Sequence, residues 1–159
     1  MAAAGAIPVI RVRGLVNRFG AQVVHDGLDM EVRENEIFGI VGGSGTGKSV
    51  LLHTILGLRA PDAGTIEMYG RDVQRLAAAD RSALVQSYGV TFQNGALISS
   101  LTVAQNIQLP LREYHRTSEK TLDELAELNL DLVGLDRDAG AKYPSQLSGG
   151  MVKRAALAR

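Results

Sequence analysis

The residues Gly42-Gly43-Ser44-Gly45-Thr46-Gly47-Lys48-Ser49 carry the clearest chemistry in the chain. They spell G-x-x-x-x-G-K-S, a spacing suited to holding a polyphosphate. The glycines permit positive φ and carry no Cβ, so successive N–H groups can turn inward round an anion. A helix opening at Gly47-Lys48 adds unpaired N–H groups and a positive dipole end. Lys48 supplies a mobile positive charge for the β- and γ-phosphates, and the Ser49 hydroxyl is placed for Mg²⁺. The competing reading is a Gly-rich turn that precedes Lys-Ser by chance. The flanking segments count against it: residues 36–41 form a short apolar run fit for a buried strand, and residues 50–56 read as a helix. Strand, loop and helix in that order predict a nucleoside triphosphate site.

Other strands should support this loop. Residues 7–12 read as one, with Arg11 and Arg13 interleaved, and Gly14 and Gly20 punctuate the stretch after it. Phe19 either stacks on a base or packs in the core, and position alone favours the core. Residues 23–25 and 28–32 read as successive strands; Leu28, Met30 and Val32 alternate with Asp29 and Glu31, as on a sheet with one wet face. His25 reads as a surface residue near a turn. Beyond the loop helix, Gly57 and residues 61–64 break the pattern, and residues 65–69 alternate again. A short helix starts near Asp80 and ends near Ser87. Residues 88–92 predict a further strand with Gln93 at its exit, where a polar side chain either serves a site or merely faces solvent.

The period then becomes helical. Thr102 is a plausible N-cap for residues 103–109, and Pro110 ends that helix. Ser118 caps a second helix whose core stripe is Leu122, Leu125, Leu128 and Leu132, closed by Gly134. A final helix covers residues 152–159, with Lys153 and Arg154 on a solvated face. Ser148-Gly149-Gly150 just before it is either a second anion-ready helix start or a plain serine N-cap.

At 159 residues, 45% hydrophobic and 21% charged, the chain has room for one globular domain with a core. Lys+Arg and Asp+Glu number 17 each, so net charge argues for no nucleic acid partner. The absence of cysteine excludes disulfides, thiolate metal sites and a cysteine nucleophile. No run approaches the roughly 18 apolar residues of a membrane span. Residues 1–6 lack a basic stretch and read as a flexible tail, not a signal peptide. A cytoplasmic location is expected, with any membrane contact made through a partner.

Residues 42–49, then Gln93, then Leu147-Ser148-Gly149-Gly150-Met151 stand in an order that resembles the ATP-binding cassette (ABC) ATPases. The resemblance runs from about Ile7 to the end. It implies an α/β fold: an ABC-type phosphate-loop cassette with an antiparallel β-subdomain, a partial phosphate-loop core and a helical subdomain over about residues 96–150. It implies ATP and Mg²⁺ as cofactors. Phe19 falls where the family has its adenine-stacking aromatic, reversing the odds for that residue. Gly42 to Ser49 would hold the phosphates, and Val50, where the family often has Thr or Ser, would keep only its backbone N–H near the α-phosphate. Ser49 and Gln93 would ligate Mg²⁺, and Ser148, Gly149 and Gly150 would reach the nucleotide of a second cassette in a homodimer. A permease would dock beside the Gln93 loop, putting the protein at the inner face of the cell membrane.

Residues 90–97, 101–107 and 110–113 look like the ATPase of Mla-type phospholipid transporters, which work with Mce-domain proteins, and the ending from Met151 is similar to that group. The implied activity is ATP hydrolysis driving lipid transport. The family's Asp-Glu pair and switch histidine would lie beyond Arg159, so no catalytic residue is assigned here and the 159-residue chain alone is expected to be inactive. The sheet around Val41 and Phe92 would then lack neighbours and leave apolar surface exposed. Two other readings remain: a non-hydrolysing nucleotide- or partner-binding fragment, and a soluble, non-transport ABC ATPase.

Overall fold

The computed structural model describes residues 8–159, so the expected tail over residues 1–6 and the first residue of the expected opening strand lie outside it. The chain forms two compact units divided between Tyr88 and Gly89.

The first unit is built on an antiparallel sheet of β1 (Ile10–Phe19), β2 (Gln22–Val32), β3 (Ala63–Met68) and β4 (Arg71–Asp72), in the order β2-β1-β3-β4. Gly14 does not end the first strand. It sits at φ +56° within β1, where the register shifts between Val12 and Leu15. One extra residue in the ladder lets Val12 and Leu15, three apart, both face the core. The Gly14 N–H, freed from the ladder, donates to Asp29 Oδ1 at 2.6 Å. The two strands expected over residues 23–32 are likewise one, because Leu28 lies opposite Leu15 while His25 lies opposite Asn17. On the wet face Arg11 meets Glu31 at 3.1 Å and Glu67 at 3.3 Å.

Helices α1 (Lys48–Ile55) and α2 (Ala78–Val85) accompany the sheet. Leu51 and Ile55 of α1 and Leu84 of α2 join Val12, Leu15, Ile66, Met68 and Val73 in one buried cluster.

Two expected strands are absent. Residues 36–41 and 88–92 belong to no ladder among the described residues. An apolar run becomes a strand only where a neighbour takes its backbone groups, and no described strand does so here. Ile37 and Val41 are accordingly 102% and 93% exposed, and Phe38 and Ile40 are more than two-fifths exposed.

The second unit contains α3 (Val103–Tyr114), α4 (Glu119–Leu132), 3-10 turns at Arg137–Ala141 and Pro144–Gln146, and α5 (Gly149–Ala158). Val103, Ile107, Ala126, Leu130, Leu135, Ala139 and Ala155 form its core. Thr102 caps α3 as expected, in a reciprocal box with Gln105. Pro110 does not end that helix. The proline has no N–H to give the preceding turn, while Arg112 bonds back to Gln108 at 3.1 Å and forward to Glu119, holding the turn beyond it. Ser118 caps α4, but its buried stripe is Leu122, Ala126 and Leu130. Leu128 and Leu132 are exposed because strict four-residue spacing, and not the leucines' own 3-3-4 spacing, faces the core.

Candidate nucleotide site

The phosphate loop lies in the first unit and runs into α1. Gly47 is the N-cap of α1 at φ +94°, ψ 1°, a left-handed conformation. Its backbone is also crowded: a Cβ there would lie 2.5 Å from Val24 Cγ1 and 2.8 Å from His25 Nε2. Glycine is required twice, once for the angle and once for the approach. The loop is pinned to the second strand of the sheet at the point where the helix begins.

Lys48 folds back over the loop and donates from Nζ to the carbonyls of Gly42 at 2.7 Å and Gly43 at 2.5 Å. Thr46 Oγ1 donates to Gly43 O at 2.9 Å. A bound phosphate would compete for the same ammonium, whose long stem allows it to swing. Ser44, Gly45 and Ser49 are exposed or half-buried, and Val50 is half-buried in the first turn of α1. None of the first helical turn's residues is acidic, so nothing there repels an anion from the dipole's positive end.

Phe19 closes β1, is 47% exposed and stands outside the buried cluster, so it is not the core residue that position alone favoured. The Arg59 guanidinium carbon stands 4.0 Å from the ring centroid.

Behind the loop is a polar cluster that sequence patterning missed. Asn17, His25 and Thr54 are each under one-tenth exposed. Asn17 Nδ2 lies 3.0 Å from His25 Nδ1 and 3.2 Å from Thr54 Oγ1, and Thr54 Oγ1 donates to Val50 O at 2.7 Å. Because the amide nitrogen is the donor, Nδ1 accepts and the neutral ring carries its proton on Nε2, toward Gly47. Burial lowers the His25 pKa from 6.5. His25 is thus not the surface residue that its position beside a turn suggested. The available signal was that each of Asn17, His25 and Thr54 adjoins an apolar pair: Leu15-Val16, Val23-Val24 and Ile55-Leu56.

Gln93, Ser148, Gly149 and Gly150 belong to the second unit and are exposed. Ser148 acts as an N-cap, accepting from Met151 N at 3.3 Å, with Gly149 and Gly150 opening α5. Gln93 lies in a turn and not at a strand's end. It lines a cleft of about 360 Å³ with Thr91, Phe92, Lys153, Ala156 and Leu157. A larger cavity of about 490 Å³ between α3 and α4 includes Gln108, Arg112 and Asp123, already bonded to one another or to neighbours. Among the described residues no three His, Asp or Glu side chains gather as a metal site, and no helix is long and apolar enough to cross a membrane.

The ABC transporter family model matches residues 25–159. The methionine import ATP-binding protein MetN of Mesorhizobium japonicum is 43% identical over 95% of this chain and 41% of its own length. The intermembrane phospholipid transport ATP-binding protein MlaF of Haemophilus influenzae is 38% identical, over 95% and 57% respectively. The probable ribonucleotide transport ATP-binding protein mkl of Mycobacterium leprae is 37% identical, over 94% and 43%. The chain therefore spans roughly two-fifths to under three-fifths of the curated relatives it matches. A solved ATP-binding cassette, dimeric and bound to ADP and Pi after hydrolysis, superposes with a TM-score of 0.81 at 25% identity, covering 94% of this chain and 67% of that one. The antiparallel sheet and helices have the ABC ATPase cassette fold, and the chain belongs to the ABC transporter family.

Proposed function

We propose that the chain binds ATP and is the nucleotide-binding part of a transporter that hydrolyses ATP to move phospholipid. The observation that carries the nucleotide reading is the left-handed Gly47 cap followed by Lys48, whose Nζ spans the loop carbonyls. In this reading residues 42–49 and the Val50 N–H take the phosphates, and Phe19 stacks on adenine. The donors offered to a divalent ion are the hydroxyl of Ser49 and the amide of Gln93. Neutral oxygens fit Mg²⁺ when phosphates supply its charge, and the ion would neutralise charge on the transferred phosphoryl group. Ser148, Gly149 and Gly150 would serve the nucleotide of a second cassette, which makes a homodimer the working unit.

The lipid reading draws on residues 90–97, 101–107 and 110–113 and on the likeness to a phospholipid transport ATPase. Relatives named for methionine and ribonucleotide transport are about as similar, so whole-chain identity does not choose the cargo. Partners on this reading are a membrane permease beside Gln93 and, through it, an Mce-type protein. The location is then the inner face of the cell membrane.

Calorimetric titration of the chain with Mg-ATP tests the nucleotide reading. Saturable binding that Lys48→Ala abolishes supports it; equal binding by the variant removes it. ATP turnover of this chain joined to a segment that carries the family's Asp-Glu pair and switch histidine, and assembled with its permease, tests the cargo. Stimulation by phospholipid vesicles, absent with methionine or ribonucleotides, is the expected outcome.

A further inference from the structure

We propose that Arg59 is a positioning residue for the base: it holds Phe19 so that one ring face stays free to stack on a purine. The inference rests on the reading of Phe19 as the base-stacking aromatic. Arg59 lies just past α1, where the Leu58 and Arg59 N–H groups both donate to His53 O, at 2.9 and 3.3 Å. Its guanidinium covers one face of the Phe19 ring at 4.0 Å, well inside the distance of about 6 Å for a cation–π contact. The same group donates from Nη2 to Arg18 O at 2.7 Å. Asp62 takes the other side of that residue, accepting from Arg18 N at 2.7 Å, while Asp62 N donates to Val16 O at 2.9 Å. The peptide groups before and after Arg18 are therefore both held by the segment beyond α1, and the next side chain is Phe19.

Stability alone does not account for this arrangement. The Arg59–Asp62 ion pair is long, at 3.9 Å, and partly exposed, the kind that contributes little. Arg59 Nε is buried with no acceptor, which is unfavourable. Phe19, nearly half exposed, stands outside the buried cluster, so covering it does not extend the core. What the stack does accomplish is orientation: χ2 of an exposed phenylalanine is otherwise broad, and a planar guanidinium selects one plane. Because α1 begins at the phosphate loop, one short helix links the groups that hold phosphate to the group that presents the ring. Aromatic stacking accepts any base, so the contribution is to nucleotide over bare polyphosphate and not to adenine over guanine.

The test titrates the 159-residue chain with ATP and, separately, with tripolyphosphate, for wild type, Arg59→Ala, Arg59→Lys, Phe19→Ala and the double alanine variant. Arg59→Ala should weaken ATP about fivefold, equivalent to about 1 kcal/mol, the lower end of a base–aromatic stack. Tripolyphosphate should bind unchanged. Arg59→Lys, which keeps the charge but not the plane, should fall between wild type and Arg59→Ala, and it serves where the alanine variant folds poorly. The double variant should lose no more than Phe19→Ala alone. Unchanged ATP affinity in both Arg59 variants, additive losses in the double variant, or equal weakening of tripolyphosphate would each overturn the proposal. If Phe19→Ala binds ATP as wild type does while Lys48→Ala does not, the stacking role of Phe19 fails, and Arg59 positioning falls with it; the phosphate reading survives.

Discussion

The His25 imidazole fills the space a side chain at Gly47 would need: its Nε2 would stand 2.8 Å from a Cβ on the glycine that caps α1. A strand residue thereby sets how closely the sheet approaches the phosphate loop. Replacement of Gly47 by alanine should strain the left-handed cap by about 1–2 kcal/mol. The methyl group must also displace Val24 Cγ1, 2.5 Å away, so the loop itself has to move. Gly47→Ala should lower the melting temperature and weaken ATP binding at least tenfold. Unchanged values for both would mean that the loop does not need this approach.

His25 also predicts a pH dependence. Its folded pKa lies below 6.5, for burial disfavours the imidazolium. As pH falls through 6.5 the unfolded chain takes up a proton that the folded state resists, so stability declines until the folded pKa is passed. Well above 6.5 both states are neutral and the residue contributes no slope. Urea unfolding between about pH 5 and 8, compared for wild type and His25→Gln, should show the acid loss in wild type and a reduced loss in the variant. Parallel curves would show that the ring titrates freely.

Asn106 holds the start of the second unit together. It is fully buried, its Oδ1 accepts from Ile98 N at 2.7 Å, and its Nδ2 donates to the carbonyls of Ile98, Leu101 and Thr102 at 3.1, 3.2 and 2.9 Å. Asn106→Ala leaves those backbone groups without their partner and should cost about 3 kcal/mol or more in denaturant unfolding. Asn106→Asp should also destabilise, because a carboxylate cannot donate to three carbonyls. A loss under about 1 kcal/mol for the alanine variant would mean that water replaces the side chain without penalty.

The loop that runs into α1, the caps at Thr102, Ser118 and Ser148, and the change from strands to helices are legible because each depends on neighbours in sequence. Residues 36–41 and 88–92 read as strands and are not, because pairing depends on a partner strand, which an apolar run does not specify. The bulges at Gly14 and before Leu28 look like breaks, since a glycine marks a positive φ without saying whether the ladder resumes. The roles of His25 and Arg59 are hidden because each acts across the chain. Asn17 meets His25 through the register of two strands, and Arg59 meets Phe19 through a loop after α1. Phe19 itself stands out only through its place in a family pattern.

Pro110 supplies the last prediction. It stands inside α3, where it has no N–H to offer the carbonyl of Asn106 four residues earlier. An alanine supplies that N–H and removes the ring from the preceding turn. Interior proline costs about 3 kcal/mol, partly offset because it also restricts the unfolded chain, so Pro110→Ala should stabilise the second unit by about 1–3 kcal/mol. The gain should appear in unfolding monitored by helix signal, with Mg-ATP affinity unchanged, because α3 holds none of the proposed phosphate ligands. The pair between Arg112 and Glu119 must survive for that gain to be seen, as it secures the turn beyond the proline. Destabilisation by Pro110→Ala would reverse this account: the proline would then set a bend that the packing of α3 against α4 requires.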